Sequence, residues 1–141
     1  MKKVYLLLLS VILLLNIETN AQCTNTSAYG TATVSAAGAV VTISTCSYAG
    51  EYSTINSAVS GQTLVFTSSV STDYITIRSG SSSGPVVGFG PTPLTISNTY
   101  TGTLYAHWNS TSSCGTQSAC RTTTVQCTSC TPPPPPANDL C

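Results

Sequence analysis

Two short motifs and a few ionisable side chains are the parts of this sequence that could carry out chemistry. The segment GSSSG, residues 80–84, matches the G-x-S-x-G pattern in which a central serine, here Ser82, acts as a nucleophile. Such a nucleophile needs a strand before it and a helix after it, whereas Pro85 and a second apolar segment follow here. In so serine-rich a stretch, the pattern predicts a turn between two strands.

His107 is the only histidine, and Glu51 and Asp73 are the only carboxylates between residues 22 and 131. A Ser-His-Asp arrangement, or a pair of hydrolytic carboxylates, therefore needs the fold to bring distant residues together. We interpret His107 as an exposed or hydrogen-bonded strand residue. We predict no catalytic residue and no enzyme activity for this chain.

Seven cysteines, all of them after residue 21, are expected to form disulfides in an exported chain. CTSC, residues 127–130, has the spacing of a redox-active pair, but prolines rather than a helix follow it. A zinc site from the last four cysteines before the prolines is less favoured than disulfides. Spacing suggests Cys23 with Cys46 across a hairpin at SAAG, and Cys114 with Cys120 around one loop, although other pairings stay open. The six candidates for disulfides are Cys23, Cys46, Cys114, Cys120, Cys127 and Cys130.

The first 21 residues have the three-part layout of a secretory signal peptide. Lys2 and Lys3 precede an apolar run from Val4 to Leu15, and small residues lead up to Ala21. At 12 residues, the apolar run is shorter than the ~20 that a membrane span needs. We predict cleavage after Ala21, secretion or display at the cell surface, and no membrane span after cleavage.

Charge is scarce after residue 21, where three carboxylates accompany two arginines and no lysine. This composition cannot provide the basic surface that binding to nucleic acid phosphates requires, so we predict no nucleic acid partner. Arg78 and Arg121 are expected either to lie solvated on an outward face or to pair with Glu51 or Asp73.

Short alternating segments separated by glycine, serine, asparagine or proline fill residues 28–127. They predict nine strands, near residues 29–34, 39–45, 51–56, 62–68, 72–79, 85–89, 93–97, 102–109 and 120–127. Nine short strands without a helical period predict an all-β fold, an antiparallel β-sandwich of the jelly-roll type stapled by disulfides. Alternation in TGTLYAHW turns Thr103, Tyr105 and His107 outward. The predicted core consists of Val41, Ile43, Leu64, Phe66, Ile75, Ile77 and Trp108.

A run of five prolines, residues 132–136, predicts a stiff polyproline II linker of ~15 Å. We interpret residues 22–131 as one sandwich module and ANDLC, residues 137–141, as the start of a truncated second module. Further modules are therefore expected beyond the linker.

The segment TDYITIRSGSSSGPVVGFG, residues 72–90, followed by PLTISNTYTGTLYAHWNSTSS, resembles the second half of CUB domains. In that family, a strand opening with Asp-Tyr precedes a Gly/Ser-rich turn, a short apolar strand, a proline-containing link and a strand ending in a polar loop. The match covers about residues 62–113. Around it, AGEYSTI, SGQTLVFTSS, the proline run and ANDLC together look similar to modules of large secreted bacterial surface proteins of the adhesin type.

CUB domains are extracellular β-sandwiches that bind proteins or sugars, and many use a calcium ion to present their binding loops. The resemblance implies that Asp73 is a calcium ligand and that Asn109 lies near a second ligand position. The family's upstream glutamate would fall near Ser68 or Ser69, and Phe89 stands where the family has a cysteine.

The residues and the resemblance together predict a non-catalytic recognition or adhesion module. We expect it to bind an extracellular protein or carbohydrate, with contacts from Asp73, Tyr105, His107 and Asn109. The alternative is an accessory domain of a secreted hydrolase, a protease or a glycosidase, whose catalytic part is missing from this chain.

Overall fold

A computed structural model of the protein describes residues 22–132. The predicted signal peptide, the proline linker from residue 133 onward and the segment 137–141 lie outside the described residues. The described chain forms nine strands: β1 (Ser27–Thr33), β2 (Val40–Ala49), β3 (Glu51–Ala58), β4 (Thr63–Ser68), β5 (Tyr74–Ser79), β6 (Val86–Pro91), β7 (Leu94–Ser97), β8 (Gly102–Asn109) and β9 (Gln117–Cys127). All nine predicted strands are confirmed, with ends that differ by at most four residues. No helix in residues 22–132 is long and apolar enough to cross a bilayer.

The strands form two sheets packed face to face, which confirms the predicted all-β sandwich. The five-strand sheet has the order β1-β3-β8-β5-β6, and the four-strand sheet has the order β2-β9-β4-β7. Every pairing in these two sheets is antiparallel except that of β1 with β3. The chain leaves the five-strand sheet after β1, runs through β2 in the other sheet and returns as β3. The chain reverses its direction once before β2 and once after it, so β1 and β3 run parallel.

Alternation in the central strands supplies the core between the two sheets. Leu104 and Trp108 of β8 point inward and are fully buried, as are Ile75 and Ile77 of β5. Six of the seven predicted core residues are buried, and the seventh, Val41, is partly buried against the same cluster. Each buried side chain of this kind contributes roughly 1.5–3 kcal/mol by leaving water, and this burial holds the sheets together.

Three disulfides link the six cysteines of the described chain: Cys23–Cys114, Cys46–Cys120 and Cys127–Cys130. The predicted use of disulfides is confirmed and fits an oxidising extracellular environment. The predicted pairings of Cys23 with Cys46 and of Cys114 with Cys120 are wrong. β1 and β2 belong to different sheets and form no hairpin, whereas β2 and β9 are neighbours, so Cys46 meets Cys120. The loop before β9 carries Cys114 to Cys23 instead.

Candidate functional site

Three neighbouring strands of the five-strand sheet, β3, β8 and β5, present a row of side chains on the side turned away from the core, called here the outer face. Tyr52 of β3 lies opposite His107 of β8, and Arg78 of β5 lies opposite Tyr105 of β8. The residue between the two on β8, Ala106, points inward and is fully buried. Because side chains alternate along a strand, these four residues share the outer face.

Residues 22–25, called here the N-terminal strap, lie across part of the outer face. The backbone N–H of Cys23 donates to Oγ1 of Thr76 at 3.2 Å. The backbone N–H of Asn25 donates to Nδ1 of His107 at 2.9 Å. The strap is therefore attached to side chains of both β5 and β8.

The side chain of Asn25 extends the attachment of the strap to a third strand. Its amide donates to the backbone oxygens of Glu51 at 2.7 Å and Trp108 at 3.2 Å. The amides of Asn25 and Asn109 also donate to each other, at 3.3 and 3.2 Å. The disulfide of Cys23 then fixes the strap to the loop before β9.

His107 faces away from the core as predicted, but the strap buries it completely, at 0% exposure. The expectation that it forms part of an exposed contact surface is therefore wrong. Because Nδ1 accepts a hydrogen bond from Asn25, the neutral imidazole carries its proton on Nε2, which has no hydrogen-bond partner in residues 22–132. Burial lowers the pKa of His107 to about 4, and the positive charge of Arg78 acts in the same direction.

The stability of the fold should decrease as the pH falls from about 6.5 to about 4, since His107 stays neutral when folded but takes up a proton when unfolded. The part of the free energy of unfolding that depends on the protonation of His107 is about 3 kcal/mol. It is fully present above pH 6.5 and is lost below the folded pKa of about 4. Urea denaturation midpoints measured between pH 7 and pH 4 give its size. His107→Gln can still accept a hydrogen bond but cannot be protonated, so its decrease should be smaller. An equal decrease in both proteins would contradict the assignment to His107.

The GSSSG segment is the connection between β5 and β6, which confirms the predicted turn. Gly80 has a φ of +76°, in the left-handed region that glycine adopts without strain. A Cβ atom on Gly84 would collide with the backbone oxygen of Ser79, so the turn is too tight for a side chain there. Ser82 lies in this turn. A histidine that acts as a general base for a serine needs a nitrogen without a proton, whereas Nε2 of His107 carries one.

Asp73 lies between the two sheets at 0% exposure and does not face solvent. Its Oδ2 accepts hydrogen bonds from Nε of Arg121 and from Oγ of Ser68, both at 2.6 Å. Arg121 belongs to β9 of the four-strand sheet, and Asp73 directly precedes β5 of the five-strand sheet. The ion pair therefore joins the sheets, which confirms the interpretation that Arg121 pairs with a carboxylate.

The surroundings of Asp73 do not fit the calcium site that the CUB resemblance implies. One carboxylate oxygen is already held by a guanidinium and a hydroxyl, and the positive charge of Arg121 would repel a cation. Asn109 at the implied second position is fully buried and bonded to the strap. Within the described range, no group of three or more His, Cys, Asp or Glu side chains could hold a metal ion.

Tyr105 is the one predicted contact residue that stays partly exposed. Its ring lies beside the ring of Tyr52, with centroids 5.9 Å apart and planes inclined at 60°. Tyr52 and Arg78 are also partly exposed, so the uncovered part of the outer face combines two aromatic rings with a cation. Sequence reasoning missed Tyr52, because the pairing of β3 with β8 that brings the rings together is not visible in local alternation.

Comparisons with known proteins add no family to this description. Searches of protein families, curated proteins and solved structures find no match to this chain. The resemblance to CUB domains stays a prediction.

Proposed function

We propose that this protein is an exported, non-catalytic recognition module that binds carbohydrate at the cell surface through its outer face. The observation that carries the proposal is the pair of partly exposed rings, Tyr52 and Tyr105, side by side on adjacent strands. Tyrosine rings offer a broad apolar surface with a polar end. They can therefore stack on the apolar side of a sugar ring while their hydroxyls meet its hydroxyls.

Polar side chains surround the two rings. Thr54 lies opposite Tyr105 in the pairing of β3 with β8. Asn56 and Thr103 extend the outer face further, with Oγ1 of Thr103 donating to Oδ1 of Asn56 at 3.5 Å. All three are partly exposed. Hydroxyl and amide groups beside an aromatic surface favour a sugar over a wholly apolar ligand.

Export is part of the proposal. The signal-peptide layout of residues 1–21 and the three disulfides are both expected of a protein that works outside the cytosol. A disulfide-linked sandwich with a partly exposed pair of tyrosine rings suits attachment to a surface polymer. The resemblance to CUB domains and to bacterial adhesin-type modules agrees with this role.

Tyr105→Ala and Tyr52→Ala should each weaken carbohydrate binding by about tenfold, which is ~1.4 kcal/mol. Each change removes one stacking ring from the outer face and leaves the inward residues of its strand in place. Binding of the full-length secreted protein would be surveyed on a glycan array. Affinities for the best polysaccharide would then be measured by titration calorimetry.

Tyr48→Ala is the matched control, because Tyr48 is 39% exposed but lies on β2 of the other sheet. It should leave the affinity unchanged. Equal losses in all three variants, or no binding to any glycan, would contradict the proposal. Saturable binding only to a cell-envelope protein would replace it with protein recognition.

A further inference from the structure

Arg78 is a cation of the outer face whose charge has no carboxylate partner among residues 22–132. The ion pair found in this range joins Arg121 to Asp73. Glu51 instead accepts a hydrogen bond from the backbone N–H of Tyr48, at 2.7 Å from Oε2. Because an arginine keeps its proton at physiological pH, Arg78 places a full positive charge on the outer face.

Three backbone carbonyls hold the guanidinium of Arg78 in position. Nε donates to the oxygen of Cys23 at 3.3 Å, Nη1 to that of Gly84 at 2.8 Å, and Nη2 to that of Gln22 at 3.2 Å. These acceptors are neutral, so they orient the charge without cancelling it. One hydrogen on each of Nη1 and Nη2 remains available to donate to an anionic ligand.

The guanidinium belongs to the same surface as the tyrosine pair. Arg78 and Tyr105 lie directly opposite each other on β5 and β8, a pairing that places Cβ atoms ~5 Å apart. The ring of Tyr105 in turn lies beside that of Tyr52. A sugar stacked on Tyr105 would bring an acidic substituent within reach of Arg78.

We propose that the outer face selects acidic polysaccharides, in which a uronic acid carboxylate binds Nη1 and Nη2 of Arg78 while the sugar ring stacks on Tyr105. The inference rests on the proposed carbohydrate-binding function and narrows its ligand class. A planar carboxylate matches the guanidinium fork, whereas a neutral sugar would gain only the stacking and hydroxyl contacts.

Polygalacturonate and its fully methyl-esterified form test the inference with the unaltered full-length protein, since esterification removes the charge and retains the sugar backbone. We expect polygalacturonate to bind at least about tenfold more tightly at low salt. The difference should shrink as sodium chloride is added, because salt screens a partly exposed ion pair. Equal affinities for the two polymers, or binding to neutral glycans alone, would overturn the acidic preference. Either result would leave the carbohydrate-binding proposal standing. No binding to any glycan would remove both.

Substitutions of Arg78 assign the preference to this side chain. Arg78→Gln should bring the ratio of the two affinities close to one, and Arg78→Lys, which keeps the charge but loses the fork, should retain part of it. Arg78 also holds the strap, so thermal melts must first show that both variants are folded. A wild-type ratio in Arg78→Gln would overturn the assignment. If that variant does not fold, the ratio in Arg78→Lys and the ester comparison decide the question.

Discussion

Asp73→Asn is expected to lower the free energy of unfolding by roughly 3–5 kcal/mol, a large part of the 5–15 kcal/mol typical of a single domain. The substitution keeps an acceptor for Nε of Arg121 but removes the charge that compensates its fully buried guanidinium. Arg121 still donates to the oxygen of Ala119 and to Oε1 of Gln117, both at 2.7 Å, so the loss is one of charge compensation. Urea denaturation at pH 7, followed through Trp108 fluorescence, measures the change.

The double variant Asp73→Asn/Arg121→Met separates the charge from the packing. With both charges removed no buried ion is left alone, so the double variant should be more stable than Asp73→Asn by itself. A change of less than about 0.5 kcal/mol in Asp73→Asn, within the range of ordinary surface substitutions, would show that the pair does not hold the sheets. Weaker ligand binding at unchanged stability would instead return Asp73 to the role of a contact residue.

The double substitution Cys23→Ser/Cys114→Ser should lower the free energy of unfolding by about 3.5 kcal/mol. The two cysteines of this disulfide are 91 positions apart in the sequence, but the Cys46–Cys120 disulfide already links a residue between them to one just beyond Cys114. The loop that the bond closes is therefore only about 30 residues, and its entropy is smaller than the sequence separation suggests. The same change releases the strap, so the pKa of His107, measured by NMR, should rise from about 4 towards 6.5.

Cys127→Ser/Cys130→Ser is the matched control for the strap disulfide. The Cys127–Cys130 disulfide joins residues three positions apart, so its removal should lower the free energy of unfolding by about 2 kcal/mol. The pKa of His107 should not change. A strap variant in which the His107 pKa stays near 4 would mean that the hydrogen bonds of Asn25 hold the strap without the disulfide.

The strands and their faces could be predicted because they depend on residues that are neighbours in the sequence. Alternation alone placed Trp108 in the core and Tyr105 on the opposite side of β8, and both placements are confirmed. The Gly/Ser-rich segment after Arg78 was predicted as a turn for the same local reason. One predicted contact residue of four, Tyr105, stays open to solvent.

The surroundings of the outward side chains could not be predicted, because they depend on distant segments. The side chain of His107 points away from the core, as alternation predicts, yet Asn25, 82 positions earlier, covers it. Asp73 directly precedes β5, but its partner Arg121 is 48 positions away on the other sheet. Disulfide pairing follows the order of strands in space, and spacing between cysteines does not report that order. A sequence therefore predicts which way a side chain points better than what lies on top of it.

The disulfide connectivity also limits how far the module can be stretched. Without crosslinks, the polypeptide between Cys23 and Cys130 would extend to about 370 Å. With Cys23 joined to Cys114 and Cys127 joined to Cys130, the shortest covalent path between these ends runs only from residue 114 to residue 127. Tension across the module can draw out only about 45 Å of chain, even when every hydrogen bond is broken. Force applied between the two ends of the described chain would therefore be transmitted at nearly constant length rather than absorbed by unfolding.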